Sequence, residues 1–188
     1  MKLLFKVIAP LILAISLVAC STESVTNEIT SFVSSQEETK ELNRKDVTVN
    51  RVVDGDTVNV EMPNGTDESV RLLLIDTPES VHPDKPDQPY GEAASEFAKE
   101  TLQEGQTVIL ETGDPERDKY DRLLGYIWIN DDKNFNQLMI EKGYARVAYV
   151  KEPNTKYLDK FEKAEDQAEK KEENIWSIDG YVENEFMQ

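Results

Sequence analysis

Arg71-Leu-Leu-Leu-Ile-Asp76-Thr77-Pro78-Glu79 ends an apolar run on two carboxylates and a helix-breaking proline, with an arginine at its head. The run reads as a buried strand over 70–75. Successive strand side chains point to opposite faces, which sets Arg71 and its even offsets on one side and Leu72 and Leu74 on the other. Asp76 then leaves the strand close to Glu79. An arginine and two carboxylates collected at a strand end suit metal-assisted attack on a phosphate, because hard oxygens hold a cation and a planar guanidinium grips phosphate bidentately. The same residues also make a surface salt-bridge cluster at a turn, and the nonapeptide alone does not separate the two.

Two further segments weigh on that choice. Asp54-Gly55-Asp56-Thr57 lies between the apolar-leaning runs 47–53 and 57–61, a tight turn that delivers another carboxylate. By itself Asp-Gly-Asp is only a hairpin turn. Asp118-Lys119-Tyr120-Asp121-Arg122 precedes the apolar run 123–130 and adds a second arginine. With 70–75 and 107–111, these runs make five strand candidates, rich in Val, Ile and Leu and bounded by Gly, Asp and Asn. Three helices are expected at 92–103, from Asn134 to a Gly143 stop, and at 155–171, each with an apolar stripe at helical spacing. Those stripes are core.

In order, spacing and context these pieces resemble the staphylococcal nuclease family, over roughly Val47 to Trp176. The matching segments are DGDT at Asp54, RLLLIDTPE at Arg71, HP at His82, YGEAASEF at Tyr90, DKYDR at Asp118, and VAYV at Val147 followed by NIW at Asn174. The resemblance implies an α+β, mostly β fold: an OB-fold five-stranded β-barrel with three helices, an architecture that binds oligonucleotides on a face and its loops. It also implies Ca²⁺-dependent hydrolysis of DNA and RNA with little sequence specificity, leaving 3′-phosphate ends. Residue by residue, Asp56 and Asp76 become the carboxylate ligands of Ca²⁺ together with the carbonyl of Thr77. Glu79 becomes the group that orients or deprotonates water, and Arg71 and Arg122 the groups that hold the phosphate. Lys119 and Tyr120 become contacts to a neighbouring phosphate, and Tyr149 a base-stacking ring. Two positions depart from the family pattern: Asp121 stands where a glycine is usual, and Lys151 replaces an aromatic residue.

The amino terminus reads as a processing signal. Lys2 and Lys6 precede an apolar stretch too short to span a bilayer, which needs roughly 20 residues. Leu17-Val18-Ala19-Cys20 resembles the lipobox of bacterial lipoproteins, with an ordinary secretory signal cut nearby as the alternative. Cys20 is the only cysteine in the chain. The expected organisation is a signal peptide over 1–19, a polar tether over 20–45, the nuclease-like domain over 46–180 and a tail over 181–188. Cys20 is then the lipid attachment point to the outer face of a bacterial membrane, with release into the medium a further outcome, and the protein is expected to be a monomer.

Composition excludes some chemistries and questions one. His82 is the only histidine, so two-histidine phosphodiester chemistry and a Cys/His zinc site are both out of reach. Acidic residues number 38 against 21 basic ones, a net charge of −17, whereas nucleic-acid binders usually present a basic surface. A local strip of Arg51, Arg71, Lys119, Arg122, Arg146 and Lys151, with the acid carried by helices, reconciles the two. Three readings stand at this point: a tethered Ca²⁺-dependent nuclease, a nonhydrolytic nucleic-acid or protein-binding module on the same fold, and a structural surface lipoprotein.

Overall fold

The computed structural model describes residues 43–80 and 88–186, so Cys20, the signal segment, most of the tether and His82 lie outside the described residues. Five strands form a closed barrel: β1 (Arg44–Val52), β2 (Thr57–Glu61), β3 (Asp67–Leu72), β5 (Thr107–Arg117) and β6 (Leu123–Asn130). Their order is β3-β2-β1-β5-β6, and β3 closes the circle by pairing parallel to β6 through Val70 with Leu123, Arg71 with Leu124 and Leu72 with Gly125. Short pairings add β4 (Ile75–Asp76) to β8 (Arg146–Val147) and β7 (Lys133–Asn134) to β6. Closure leaves no long exposed strand edge. The fold is the α+β OB-type barrel with three helices.

Local sequence explains most of this. In β1, Val47, Val49 and Val52 are buried, a change from odd to even positions. A bulge between Val49 and Arg51 inserts the extra residue that shifts the alternation. The expected strand over 70–75 is instead broken. Alternation holds only to Leu72, and Leu72, Leu73, Leu74 and Ile75 are all buried. Leu74 adopts a left-handed φ of 63°, turning the chain out of β3 and into β4. The corner is sustained because its backbone groups find partners: Leu73 N donates to Gly125 O at 2.9 Å, and buried Asn136 Nδ2 donates to Leu73 O at 3.0 Å. Strand β5 runs six residues past its expected end, and Pro115 is accommodated because the β5–β6 register is interrupted between Thr112 and Arg117. The domain also begins at Arg44, earlier than the tether was expected to end.

The helices are α1 (Gly91–Thr101), α2 (Phe135–Glu141) and α3 (Leu158–Lys170), followed by a 3-10 turn at Asn174–Ser177. Asn134 caps α2, its Oδ1 accepting from Gln137 N at 3.0 Å. Ala94 and Ala98 of α1, Met139 and Ile140 of α2, and Phe161 and Ala164 of α3 bury against the barrel. The exposed positions of α1 and α3 include Glu92, Glu96, Glu100, Asp159, Glu162, Asp166 and Glu169, but Lys99, Lys160, Lys163 and Lys170 stand on the same helices, so these helices alone do not account for the acidic excess. Residues 181–186, set outside the domain on sequence grounds, bury Tyr181, Val182 and Phe186 in a second apolar cluster with Ile175.

One charged residue lies inside the barrel's own packing. Glu111 of β5 is 5% exposed. It accepts from Arg44 Nε at 3.0 Å, Trp128 Nε1 at 3.0 Å and Tyr157 OH at 2.9 Å, and pairs with Lys156. Burial alone pushes its carboxyl up, but the hydrogen bonds from Lys156, Tyr157 and Arg44, together with the charge of Lys156, hold it below the usual carboxylate range.

Candidate active site

The Asp54–Asp56 turn joins β1 to β2 and is closed by Val53 N donating to Thr57 O at 2.9 Å. Inside it, Asp54 Oδ1 accepts from Asp56 N at 3.1 Å. Gly55 packs directly on Thr77: a Cβ there would stand 2.8 Å from the Thr77 methyl, so only glycine lets the turn approach the end of β4 this closely. That approach joins the first two motifs. Asp56 Oδ2 accepts from both the amide and the hydroxyl of Thr77 at 3.3 Å, and Asp56 Oδ1 accepts from Thr57 Oγ1 at 3.1 Å.

Arg71 lies between the two aspartates. Its Nη1 is 2.7 Å from Asp56 Oδ2 and its Nη2 is 3.7 Å from Asp76 Oδ1. Asp76 has a second cation: Arg146 donates to its Oδ2 through Nε at 3.1 Å and Nη2 at 3.0 Å, in the register that pairs β4 with β8. The ring of Tyr149 covers Arg71 at 5.3 Å, and its hydroxyl donates to Asp76 Oδ1 at 3.4 Å. Burial pushes the Asp56 carboxyl up to about 6; Arg71 opposes this, and the neighbouring Asp54 adds to it. Asp76 is raised by burial and by Asp56, against the pull of Arg146 and Arg71. Two hard-oxygen donors are thus held close together, with burial disfavouring the charged form of each.

This donor set fits a divalent cation that prefers oxygen. Asp56 is close enough to Asp76 to raise the proton affinity of Asp76, and both turn toward one guanidinium. The set is sparse, since the described residues contain no group of three His, Cys, Asp or Glu side chains arranged to hold a metal. Carbonyl, water or substrate oxygen must complete any shell.

Arg122 is positioned separately. Asp118 organises its loop by accepting from Tyr120 N at 2.9 Å and Arg122 N at 3.0 Å through Oδ1, while its Oδ2 takes the Arg122 side chain at 2.7 Å. Arg122 and Lys119 both lie over the Tyr120 ring, at 5.6 and 4.8 Å. Each arginine therefore has a tyrosine at its face, and both rings are largely exposed, Tyr149 at 64% and Tyr120 at 68%. Arg122 immediately precedes Leu123, the residue that closes the barrel against Val70, next to Arg71. Arg71 on β3 and Arg122 just before β6 thus stand along one seam.

Glu79 follows two residues after Thr77. Its Oε1 accepts from Ser80 N at 3.1 Å. Its backbone is held by Gln88, whose Oε1 accepts from Glu79 N at 2.7 Å and whose N donates to Glu79 O at 2.9 Å. Arg146 is expected from sequence only as part of a positive strip, and Gln88 is not expected at the site. An arginine in the strand before VAYV was a usable signal for the first; nothing in the sequence marks the second.

The family model described as staphylococcal nuclease homologue matches residues 69–178. Endonuclease YncB of Bacillus subtilis (strain 168) is 40% identical over 97% of this chain and 95% of its own length. The SPbeta prophage-derived endonuclease YokF of the same organism is 49% identical over 73% of this chain, a match that spans only 46% of YokF. Thermonuclease of Staphylococcus intermedius is 46% identical over 68% of this chain and 74% of its own length. With a barrel that brings the Asp-Gly-Asp turn, both arginines and the Glu79 segment to one end, the chain belongs to the staphylococcal nuclease homologue family.

Proposed function

We propose that this protein is a Ca²⁺-dependent nuclease that hydrolyses phosphodiester bonds in DNA and RNA with little sequence preference and leaves 3′-phosphate ends. The observation that carries the reading is Arg71 bridging Asp56 and Asp76, at 2.7 and 3.7 Å, beside an exposed tyrosine. Asp56, Asp76 and the Thr77 carbonyl would hold the calcium, which when bound supplies positive charge to polarise the phosphate. The chain's own groups do the rest. Glu79 orients a water and takes its proton as the water oxygen bonds to phosphorus. Arg71 and Arg122 hold the nonbridging oxygens and stabilise the charge that builds as the P–O5′ bond breaks. Arg71 has to exchange its contact with Asp56 for the phosphate. Tyr149 and Tyr120 offer flat faces to bases, which bind by stacking at roughly 1–3 kcal/mol each without reading sequence. Lys119 adds a point charge for the next phosphate.

Degradation of single- and double-stranded DNA and of RNA, followed with Ca²⁺ and then with excess chelator, tests the reading. Cleavage that requires Ca²⁺ and yields 3′-phosphate ends is expected. Undiminished cleavage in chelator would remove the metal assignment, and binding without cleavage would leave the nonhydrolytic module.

The location is part of the same proposal: Cys20 carries a lipid that tethers the domain outside a bacterial membrane, where polymeric nucleic acid is met. Cys20→Ala should abolish incorporation of labelled fatty acid, and unchanged incorporation would sink the anchor.

A further inference from the structure

The segment after the NIW turn folds back on the two regions that carry the proposed carboxylates. Phe186 is 4% exposed, packs against Tyr181 at 5.3 Å, and its backbone N donates to Tyr181 O at 2.8 Å, closing residues 181–186 into a compact turn. Phe186 makes two outward contacts. Its ring lies 5.1 Å from the guanidinium of Arg146, the residue that holds Asp76 through two nitrogens. Its carbonyl accepts from Gln88 Nε2 at 3.2 Å, and the other end of the same amide accepts from Glu79 N at 2.7 Å. Tyr181 OH donates to Pro89 O at 2.6 Å, and Tyr90 OH is 2.8 Å from Ser177 Oγ at the end of the 3-10 turn, so the residue after Gln88 is tied to residues 181–186 and the next one to the turn before them. Gly91 completes the arrangement. A Cβ there would come 2.5 Å from Glu79 O, so the start of α1 packs directly on the Glu79 backbone.

We propose that residues 181–186 act as a strap that positions the active site, with Gln88 and Phe186 as positioning residues for Glu79 and, through Arg146, for Asp76. The proposal rests on the nuclease reading above. The Gln88 amide is the informative group, because both of its ends are used: one on the backbone of the proposed base, the other on the strap. The strap also carries backbone cost, with Glu185 at φ 49° and Phe186 at φ 64°, conformations that non-glycine residues adopt only when their surroundings fix them. Geometry within the site is what the strap controls. Displacing a catalytic group by about 1 Å costs on the order of 10² in rate while leaving remote substrate contacts in place. Tyr120, Lys119 and Tyr149 lie outside the strap's contacts described above and continue to hold substrate.

The test compares Phe186→Ala and Gln88→Ala in the mature chain with Met139→Ala, a cavity in the main core away from the strap. Single-turnover and steady-state cleavage of single-stranded DNA, amide hydrogen exchange and thermal melting are measured on each. Both strap variants should lower kcat by about tenfold to a hundredfold with KM within about twofold of wild type, while Met139→Ala lowers the melting midpoint and spares kcat. The Glu79 amide should exchange faster in Phe186→Ala although its own partner, Gln88, is intact. Should Phe186→Ala not fold, Phe186→Leu fills the same space without the ring over Arg146 and should show the same loss of kcat in smaller degree. Unchanged kcat in folded strap variants, or unchanged protection of the Glu79 amide when Phe186 is altered, overturns the strap. Absence of cleavage by the wild-type chain would instead count against the nuclease reading, and the exchange measurement would still decide the strap.

Discussion

Glu111 and Asp56 are both buried carboxylates facing arginine, yet their surroundings push them in opposite directions. Glu111 collects two cations, Arg44 and Lys156, and two neutral donors, Trp128 and Tyr157, with no other carboxylate among its described partners. Asp56 shares a single arginine with Asp76 and has Asp54 at its back. The result is a Glu111 held below the usual range and an Asp56 raised to about 6. The fold favours the charged form of Glu111, while burial disfavours the charged form of Asp56. Burial is the largest push on both; Glu111 has enough cations and neutral donors to be held below the usual range, whereas Arg71 and the Thr77 and Thr57 hydrogen bonds do not offset burial and Asp54 at Asp56.

Removing the brace should produce the largest effect. Glu111→Ala leaves Arg44 and Lys156 without their shared partner and should cost about 3–5 kcal/mol in urea denaturation, with kcat on the folded fraction unchanged. The pH dependence has a definite sign. Because the folded-state pKa of Glu111 is depressed, its stabilisation is complete above the unfolded carboxylate value and is lost as pH falls through the folded one. Acid titration of stability should therefore be steep in wild type and flatter in Glu111→Gln. An equal acid slope in the two proteins would contradict the assigned pairing.

On the other side of the comparison, Arg71→Ala should cost about 10²–10³ in kcat, the scale of one preorganised donor to transition-state charge. KM should change much less, since Tyr149 and the Lys119 loop remain. Arg122→Ala should behave alike. Near-normal turnover in either variant would return that arginine to a structural role.

Calcium gives the next effect in size. A ligand that binds only the folded protein stabilises by about 2.7 kcal/mol at a hundredfold excess over its dissociation constant. Calcium should therefore raise the melting midpoint of wild type, and chelator should reverse it. In Asp56→Asn that response should vanish, while the chelated protein should melt no lower than chelated wild type, because one of two crowded carboxylates is gone. A calcium response that survives Asp56→Asn would move the metal elsewhere; the same response in Glu111→Gln as in wild type is expected.

What the sequence made legible follows from how local each feature is. The β1, β2 and β6 strands are visible because β-branched and apolar residues recur between turn residues, and Asn134 and Gly143 mark the ends of α2 through their own backbone requirements. The break at Leu73–Leu74 is invisible. Four consecutive buried aliphatic residues look like continued strand, and the corner exists because distant Asn136 and Gly125 satisfy its backbone. Asp56, Arg71 and Asp76 announce themselves by charge at the ends of apolar runs, but their meeting depends on Gly55 packing against Thr77. Arg146 and Gln88 act on residues 70 and 9 positions away respectively, and Gln88 also reaches 98 positions to Phe186, so no short window exposes their part. The buried Tyr181–Phe186 turn looks like a tail in sequence, since Glu183, Asn184 and Glu185 fill its middle and are its exposed residues.

The smallest effect sharpens the comparison at Asp121, where a carboxylate sits beside the proposed phosphate grip with little to justify it. Asp121 has φ 66°, a left-handed conformation that glycine adopts without cost. Its side chain is 89% exposed and lies 3.7 Å from Arg117, too solvated a pair to matter much. The loop's real ties are backbone ones: Asp121 O accepts from Arg117 Nη1 at 2.8 Å and Asp121 N donates to Asp118 O at 3.1 Å. Both survive substitution by glycine, and Arg117 keeps its two bonds to Glu68 at 2.8 and 2.7 Å. Asp121→Gly therefore relieves the conformation while losing only a weak pair, for a net gain of about 0.5 kcal/mol after the greater freedom of glycine in the unfolded chain is set against it. For a domain of this size that is about 1–2 °C in the melting midpoint. Removing a negative charge next to Lys119 and Arg122 should also lower KM for single-stranded DNA at low salt, with the advantage fading as salt rises and screens it. A variant that melts lower than wild type would show that the Arg117 contact holds the loop, and a KM that is unchanged at low salt would show that Asp121 faces away from the substrate path.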